Sequence, residues 1–370
     1  MKIIPKVITY SAQKILNIQK YCDGGWFWVK YSAHPYLGCI YGCRYCYEWE
    51  KKYSPNQKSY LLDRMIKVKK NAADLLAQEL ATQPVDIITL GDWQPVESKY
   101  RISRAMLKVV NELGFPVLIN EKSPLILKDL DLLKKINERN YANVGFSIIT
   151  TRDDETRDIF EPKAPSVKSR FEAMEKLASN NIITGTVFMP ILPFIYDNEK
   201  NIKEVISSTK EAGGKYILDA GLTLNGYCRE KYFHALKKYD PKLINQYEKI
   251  YQNQDSFQSY YQGVHNLVKK YCQQYRIANT IPRPVNYFPE QTRINKLIAE
   301  KIYIKARELQ LQGDALYRVL AHTKVAREID RIDYDVLTLY QKEGRDGLKK
   351  ISGVGDKLAA LVEDILNNFK

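Results

Sequence analysis

The chain has 370 residues, enough for two or more domains, and its net charge of +14 favours a polyanionic partner such as nucleic acid. No apolar run is long enough to span a bilayer, which argues against a membrane partner. The N-terminus lacks the pattern of a secretory signal, so we expect a cytoplasmic protein.

After a short lead-in over residues 1–25, strands alternate with helices. Short apolar, β-branched runs predict six strands, over residues 26–31, 85–92, 116–122, 143–150, 183–191 and 215–224. Between the second and third, the pattern "RISRAMLKVVNELG" predicts a helix over 101–114 that ends at a glycine. Alternation of this kind indicates an α/β fold with a parallel sheet. Six units over residues 26–228 suit a partial, open (β/α)6 TIM-like barrel.

The pattern changes after residue 228. Residues 229–310 are predicted to form a basic, tyrosine-rich helical extension, interrupted by a proline-rich connector over 278–290. Residues 311–370 are predicted to form a small, all-helical domain.

Three of the six cysteines lie within eight residues, in "CIYGCRYC". Cys39, Cys43 and Cys46 give the spacing C-x3-C-x2-C, and three soft thiolates on one loop suit an iron–sulfur cluster. No fourth ligand is obvious nearby, and three thiolates on a four-iron cluster leave one iron open. The alternatives are three free cysteines, or a zinc site with a remote fourth ligand.

This motif, with Tyr45 just before its last cysteine, resembles that of the radical S-adenosylmethionine superfamily. Further segments resemble its spore photoproduct lyase-like branch over roughly residues 15–250; they are "GDWQPVE" (91–97), "EKSPLILKDLDLL" (121–133), "FSIIT" (146–150), "FEPKAPSVKSRFEAMEKL" (160–177) and "MPILP" (189–193). The resemblance implies a [4Fe–4S] cluster, S-adenosylmethionine as cofactor and a 5′-deoxyadenosyl radical that removes a hydrogen atom from substrate. It also implies an electron donor such as flavodoxin or ferredoxin.

The resemblance assigns roles to particular residues. Cys39, Cys43 and Cys46 match the cluster ligands. Three residues at or just beyond strand ends match cofactor contacts, namely Asp92, Lys122 and Ser147. A cation such as Lys122 suits the carboxylate of the cofactor.

Two tyrosines and one threonine bear on how hydrogen atoms move. Tyr45 and Tyr47 match tyrosines of the family that flank the last cluster cysteine and relay a radical, although packing around the cluster would also explain them. Thr89 stands where the lyase has the cysteine that returns a hydrogen atom. Cys228 and Cys272 are expected to be small buried side chains.

Near the C-terminus, "ISGVGDKLAALVEDIL" resembles the helix-hairpin-helix motif, which grips DNA backbones. Gly353, Val354, Gly355 and Lys357 would contact phosphates at the start of a helix, and both glycines are expected to allow positive φ, so that Gly355→Val should distort the hinge. Residues 311–370 hold ten basic and ten acidic side chains, so basic residues elsewhere in the chain would also have to contact the phosphates. A packing hairpin or a protein-docking module is the alternative.

Three functions follow from these observations. The first is a radical enzyme that acts on nucleic acid, with DNA favoured, in repair or base modification. The second is a radical enzyme for a protein or small molecule, with the helical tail as a docking module. The third is a non-catalytic nucleic-acid-binding iron–sulfur protein, against which Asp92, Lys122 and Ser147 argue.

Overall fold

The computed structural model describes residues 5–50 and 61–368. The first four residues of the predicted lead-in and the last two of the predicted C-terminal domain lie outside this range. The chain forms two compact units. The first contains the residues up to Ile18 together with Tyr31–Asn279, and the second contains Gln19–Lys30 together with the residues from Thr280 onward. The division between Asn279 and Thr280 runs through the predicted helical extension, and the four-part domain organisation stays a prediction.

The first unit is built on a seven-stranded sheet. Its strands, with those of a small second sheet, are β1 Lys6–Tyr10, β2 Leu16–Ile18, β3 Tyr31–Ala33, β4 Tyr36–Leu37, β5 Met65–Lys69, β6 Ile88–Leu90, β7 Val117–Glu121, β8 Ala142–Ser147, β9 Ile183–Ile191 and β10 Ile217–Gly221. The large sheet has the order β10-β9-β8-β7-β6-β3-β2. Six of its strands pair in parallel; they are β3, β6, β7, β8, β9 and β10. Strand β2 pairs antiparallel with β3 at the edge of the sheet. Six parallel strands in chain order confirm the predicted partial barrel.

Helices of this unit follow the strands and cover the sheet. They are α1 Ala72–Leu80, α2 Glu97–Tyr100, α3 Ile102–Leu113, α4 Leu130–Arg139, α5 Glu155–Phe160, α6 Val167–Ala178, α7 Glu199–Glu211, α8 Gly226–Tyr239, α9 Leu243–Ile250 and α10 Gln254–Gln274, with 3-10 turns at Tyr47–Trp49 and Pro124–Asp129. The predicted helix over 101–114 is α3, which buries Ile102, Met106, Leu107 and Val110 along one face. Strand β8 is buried on both faces, as expected of a parallel strand between helix layers.

The first predicted strand is wrong. Residues 26–31 were expected to open the barrel, but β3 begins at Tyr31. Trp28 instead packs within the second unit, where its indole N–H donates to the Ile281 carbonyl at 2.8 Å and its ring meets the edge of Tyr303. The run is apolar because its Trp28 side chain lies in the core of the second unit.

The second unit is mainly helical after the connector over residues 280–289. Its helices are α11 Glu290–Leu311, α12 Leu316–Arg331, α13 Val336–Lys349 and α14 Asp356–Asn367. None of the helices in the described part of the chain is both long and apolar enough to cross a membrane.

The two glycines of the predicted hairpin lie between α13 and α14, and their backbone conformations differ. The helix-hairpin-helix motif itself stays a prediction. Gly353 has φ +82°, whereas Gly355 is the extended residue before α14, with φ −88° and ψ −179°. A Cβ on Gly355 would meet no heavy atom within 4 Å. The expectation that Gly355 needs positive φ is therefore wrong. Val354 is buried and anchors the turn, and Lys357 is exposed.

The same substitution should therefore cost more stability at Gly353 than at Gly355. Gly353→Ser should lower the free energy of unfolding by about 1–2 kcal/mol, because an L-residue is strained at positive φ. Gly355→Ser should cost less than about 0.5 kcal/mol, because serine is a favoured residue before a helix. Urea unfolding of both variants tests this, and equal losses would show that the turn does not depend on the φ of Gly353.

Candidate active site

The backbone of the cysteine loop is held by several hydrogen bonds, two of which involve one buried glutamine. Cys39 donates its N–H to the Leu62 carbonyl at 2.9 Å, and the indole of Trp49 donates to the Cys43 carbonyl at 2.8 Å. The Gln94 side chain donates to the Gly38 carbonyl and accepts from the Ile40 N–H, at 2.9 and 3.2 Å. Gln94 was not predicted from the sequence, although it lies inside the quoted segment 91–97. It fastens the loop to the region that follows β6.

The three thiols lie in one buried electrostatic environment. Burial raises the pKa of each thiol, and the charge of Cys43 raises those of Cys39 and Cys46 further. Three mutually repelling thiolates need a cationic group between them. Such a donor set fits an iron–sulfur cluster, which binds thiolates.

Lys122 and Ser147 meet at the carboxyl edge of the sheet. Lys122 directly follows β7, and Ser147 is the last residue of β8, which pairs with β7 in parallel. The Lys122 ammonium donates to Ser147 Oγ at 2.6 Å. The Lys122 Nζ atom also lies 5.5 Å from the ring centroid of Tyr45, which ties the pair to the cysteine loop.

Beneath this pair lies a buried carboxylate that the sequence did not single out. Glu161 is fully buried and accepts hydrogen bonds from the Tyr45 hydroxyl and the Arg170 guanidinium. Its Oε1 lies 3.9 Å from Lys122 Nζ. Burial alone would raise the pKa of Glu161, but the charges of Arg170 and Lys122 and the two hydrogen bonds lower it to about 2. Glu161 is therefore an anion that holds Lys122, Tyr45 and Arg170 together.

Arg170 connects this anion to the sheet. Its side chain is fully buried and donates to the Ser147 carbonyl at 2.9 Å and to the Pro165 carbonyl at 2.7 Å. Both Glu161 and Arg170 lie in the quoted segment 160–177. Their burial, which gives them their role, is not visible in the sequence.

Asp92 lies on the Cys39 side of the loop. It follows β6, and its charge raises the pKa of Cys39. Burial raises the pKa of Asp92 to about 6, against the opposing effect of Lys69. Neighbouring Glu121 accepts from the Trp93 and Lys122 N–H groups at 2.8 and 3.2 Å. Asp92 therefore acts on Cys39, whereas the Lys122 charge lowers the pKa of Cys43 and of Cys46.

The remaining predicted residues differ in their surroundings. Tyr45 is buried, whereas the Tyr47 side chain is 56% exposed, so the two tyrosines do not share one environment. Thr89 lies within β6, and Cys228 and Cys272 are both buried. The hairpin residues Gly353 to Lys357 belong to the second unit. The roles predicted for all of these residues stay predictions.

Comparison with known proteins agrees with this geometry. Residues 34–207 match the Radical SAM superfamily. An uncharacterized protein of Methanocaldococcus jannaschii is 28% identical over 267 residues, which cover 72% of this chain and 94% of that protein. An uncharacterized protein of Mycobacterium tuberculosis is 23% identical over 257 residues, covering 67% and 75%.

Solved structures of spore photoproduct lyase share the fold. One variant aligns with a TM-score of 0.53 and 13% identity, covering 75% of this chain and 82% of that one. A second variant, solved with a dinucleoside spore photoproduct, aligns with a TM-score of 0.52 and 14% identity, covering 74% and 81%. The superfamily match spans the cysteine loop and the strands that carry Lys122 and Ser147, so residues 34–207 of this chain form a radical SAM domain.

Proposed function

We propose that this protein is a radical SAM enzyme that carries a [4Fe–4S] cluster on Cys39, Cys43 and Cys46 and acts on nucleic acid. DNA is the favoured substrate, in repair or base modification, with a flavodoxin- or ferredoxin-type electron donor in the cytoplasm. The observation that carries the proposal is the Lys122–Ser147 pair, held by buried Glu161 beside the cysteine loop.

Each residue has a defined task in this proposal. The thiolates of Cys39, Cys43 and Cys46 would hold the cluster, and the cluster would bind the cofactor. Lys122 pairs with the cofactor carboxylate, and Ser147 donates or accepts a hydrogen bond beside it. When bound, the cluster and S-adenosylmethionine supply a 5′-deoxyadenosyl radical. Glu161 keeps Lys122 and Tyr45 in place and, as an anion, balances the buried Arg170 charge.

Two observations support a nucleic-acid substrate. The net charge of +14 favours a polyanion, and a spore photoproduct lyase of the same fold was solved with a dinucleoside spore photoproduct. A base that reacts in the barrel must leave its stack to reach it. Thr89 has no thiol, so the proposal does not include the hydrogen-returning step of the lyase.

The test is cofactor cleavage by the reconstituted, reduced protein without oxygen. We expect release of 5′-deoxyadenosine, and we expect an oligonucleotide to increase its rate. Release that no nucleic acid changes would favour a protein or small-molecule substrate. A cluster that forms without any release would favour a non-catalytic iron–sulfur protein.

Lys122→Ala should weaken S-adenosylmethionine binding while the cluster remains. Removing a cation from a carboxylate contact should cost about 1.5–3 kcal/mol of binding free energy. Calorimetry on the reconstituted protein measures this, with iron content as the second readout. Lys128→Ala, an exposed lysine six positions on, is the control and should bind normally. Equal affinity in both variants would remove Lys122 from the cofactor site.

A further inference from the structure

A second concave site lies beside the cysteine loop in the first unit. It is a cavity of about 670 Å³ between that loop, α5 and α8. Its basic side chains come from the cysteine loop, from the stretch before β5 and from α8; they are Arg44, Arg64, Lys231, His234 and Lys238. Its lining also includes the ring of Tyr227.

The cavity lies on the side of the barrel where the candidate active site lies. Arg44 directly follows Cys43, and helix α5 comes after β8 while α8 comes after β10. The carboxyl ends of parallel strands share one edge, which is the catalytic edge of such barrels. A ligand in this cavity is therefore close to the cysteine loop. One cavity side chain also contacts the loop itself. The Lys231 Nζ atom lies 4.7 Å from the ring centroid of Trp49, and the Trp49 indole donates to the Cys43 carbonyl.

The positive charges in the cavity have no anionic partners among the described residues. The side chains of Arg44, Arg64 and Lys238 form no ion pair or hydrogen bond there. Lys231 only contacts aromatic rings, those of Trp49 and Tyr227. Three carboxylates also line the cavity, and one of them, Asp158, is paired with Arg157 at 2.8 Å. The other two, Glu155 and Glu230, are outnumbered by the four arginine and lysine side chains of the lining. The cavity is therefore suited to an external anion.

We propose that this cavity binds the sugar–phosphate backbone of a nucleic acid beside the nucleotide that enters the barrel. The inference rests on the proposed function and adds the site that holds the strand. Arginine and lysine are the usual phosphate contacts, and they position a strand without reading its sequence. Tyr227 offers a ring on which a neighbouring base stacks.

The shape of the site favours a nucleic-acid strand over an acidic redox protein. Protein partners usually bury about 800 Å² on each side of a broad interface. A concave cavity whose cations converge from the loop, α8 and the stretch before β5 instead suits a narrow chain of phosphates. Docking of an acidic electron donor is the outcome that would replace this proposal.

The test is the salt dependence of oligonucleotide binding to the full-length protein. Arg64→Gln with Lys238→Gln removes two cations that line the cavity and lie outside the cysteine loop. The slope of log K against log salt should become shallower by about 1.4 for single strands, or about 1.8 for duplex, if both contact phosphates. Fluorescence anisotropy with a labelled oligonucleotide measures it.

The matched control removes the same charge elsewhere. Lys108→Gln with Lys237→Gln replaces two exposed lysines that do not line the cavity, and its slope should equal that of the wild type. Lys231→Gln is a third variant and should also flatten the slope. Unchanged iron content and unfolding midpoints show that all variants are folded.

The outcomes separate this inference from the proposed function. If the wild type binds no oligonucleotide at low salt, both fail. If it binds, but the cavity variant keeps the wild-type slope or the control loses as much, the cavity proposal alone fails. A wild-type slope combined with slower reduction by an acidic electron-transfer protein would assign the cavity to that protein.

Discussion

Replacing Cys43 with alanine should remove the iron from the reconstituted protein and abolish 5′-deoxyadenosine release. Cys43 is buried, and the Trp49 indole donates a hydrogen bond to its carbonyl. Thiolate ligands define such clusters, and the loss of one of three leaves too few. Iron content and visible absorbance measure the effect independently of activity.

Cys272→Ala is the control for this substitution. Cys272 is also buried, but it lies on α10 and outside the cysteine loop. We expect it to retain about four irons per chain, like the wild type. Full iron content in the Cys43 variant, or stoichiometric zinc without a cluster in the wild type, would contradict the assignment of the cysteines.

Glu161→Ala should destabilise the fold by about 3–5 kcal/mol, because breaking a buried ion pair leaves an uncompensated buried charge. The stranded partner is Arg170, whose side chain is fully buried, like that of Glu161. The Arg157 guanidinium also lies 3.5 Å from the same carboxylate. The free energy of unfolding in urea measures the loss.

An exposed ion pair on α6, the helix that carries Arg170, provides the control. Glu172 lies two residues beyond Arg170 and faces Lys168 at 3.9 Å in an exposed i,i+4 pair. Glu172→Ala should cost less than about 1 kcal/mol, because water screens exposed pairs. A similarly small loss for Glu161→Ala would mean that the buried network does not stabilise this unit.

Two of the residues predicted for the site, Lys122 and Ser147, lie where strands end. The apolar residues before Lys122 and those ending near Ser147 predict two strands from the sequence. Parallel strands bring their carboxyl ends together. The Lys122–Ser147 contact follows from this arrangement. Glu161 and Arg170 were missed because a sequence does not reveal which of its many charges are buried as a pair.

Two errors have similar causes. The aromatic run over residues 26–31 has the composition of a strand, but periodicity cannot tell which core an apolar run fills, and Trp28 fills that of the second unit. In the hairpin, Gly353 and Gly355 are equally permissive residues. Only the path of the chain decides that Gly353 takes the positive φ.

The central claim is that the radical formed by this enzyme takes a hydrogen atom from nucleic acid. The direct measurement is the mass of 5′-deoxyadenosine formed without oxygen in the presence of a fully deuterated oligonucleotide. The account predicts that deuterium from the oligonucleotide appears in the product. The account would be contradicted if 5′-deoxyadenosine forms while the oligonucleotide is bound but contains no more deuterium than in an unlabelled control.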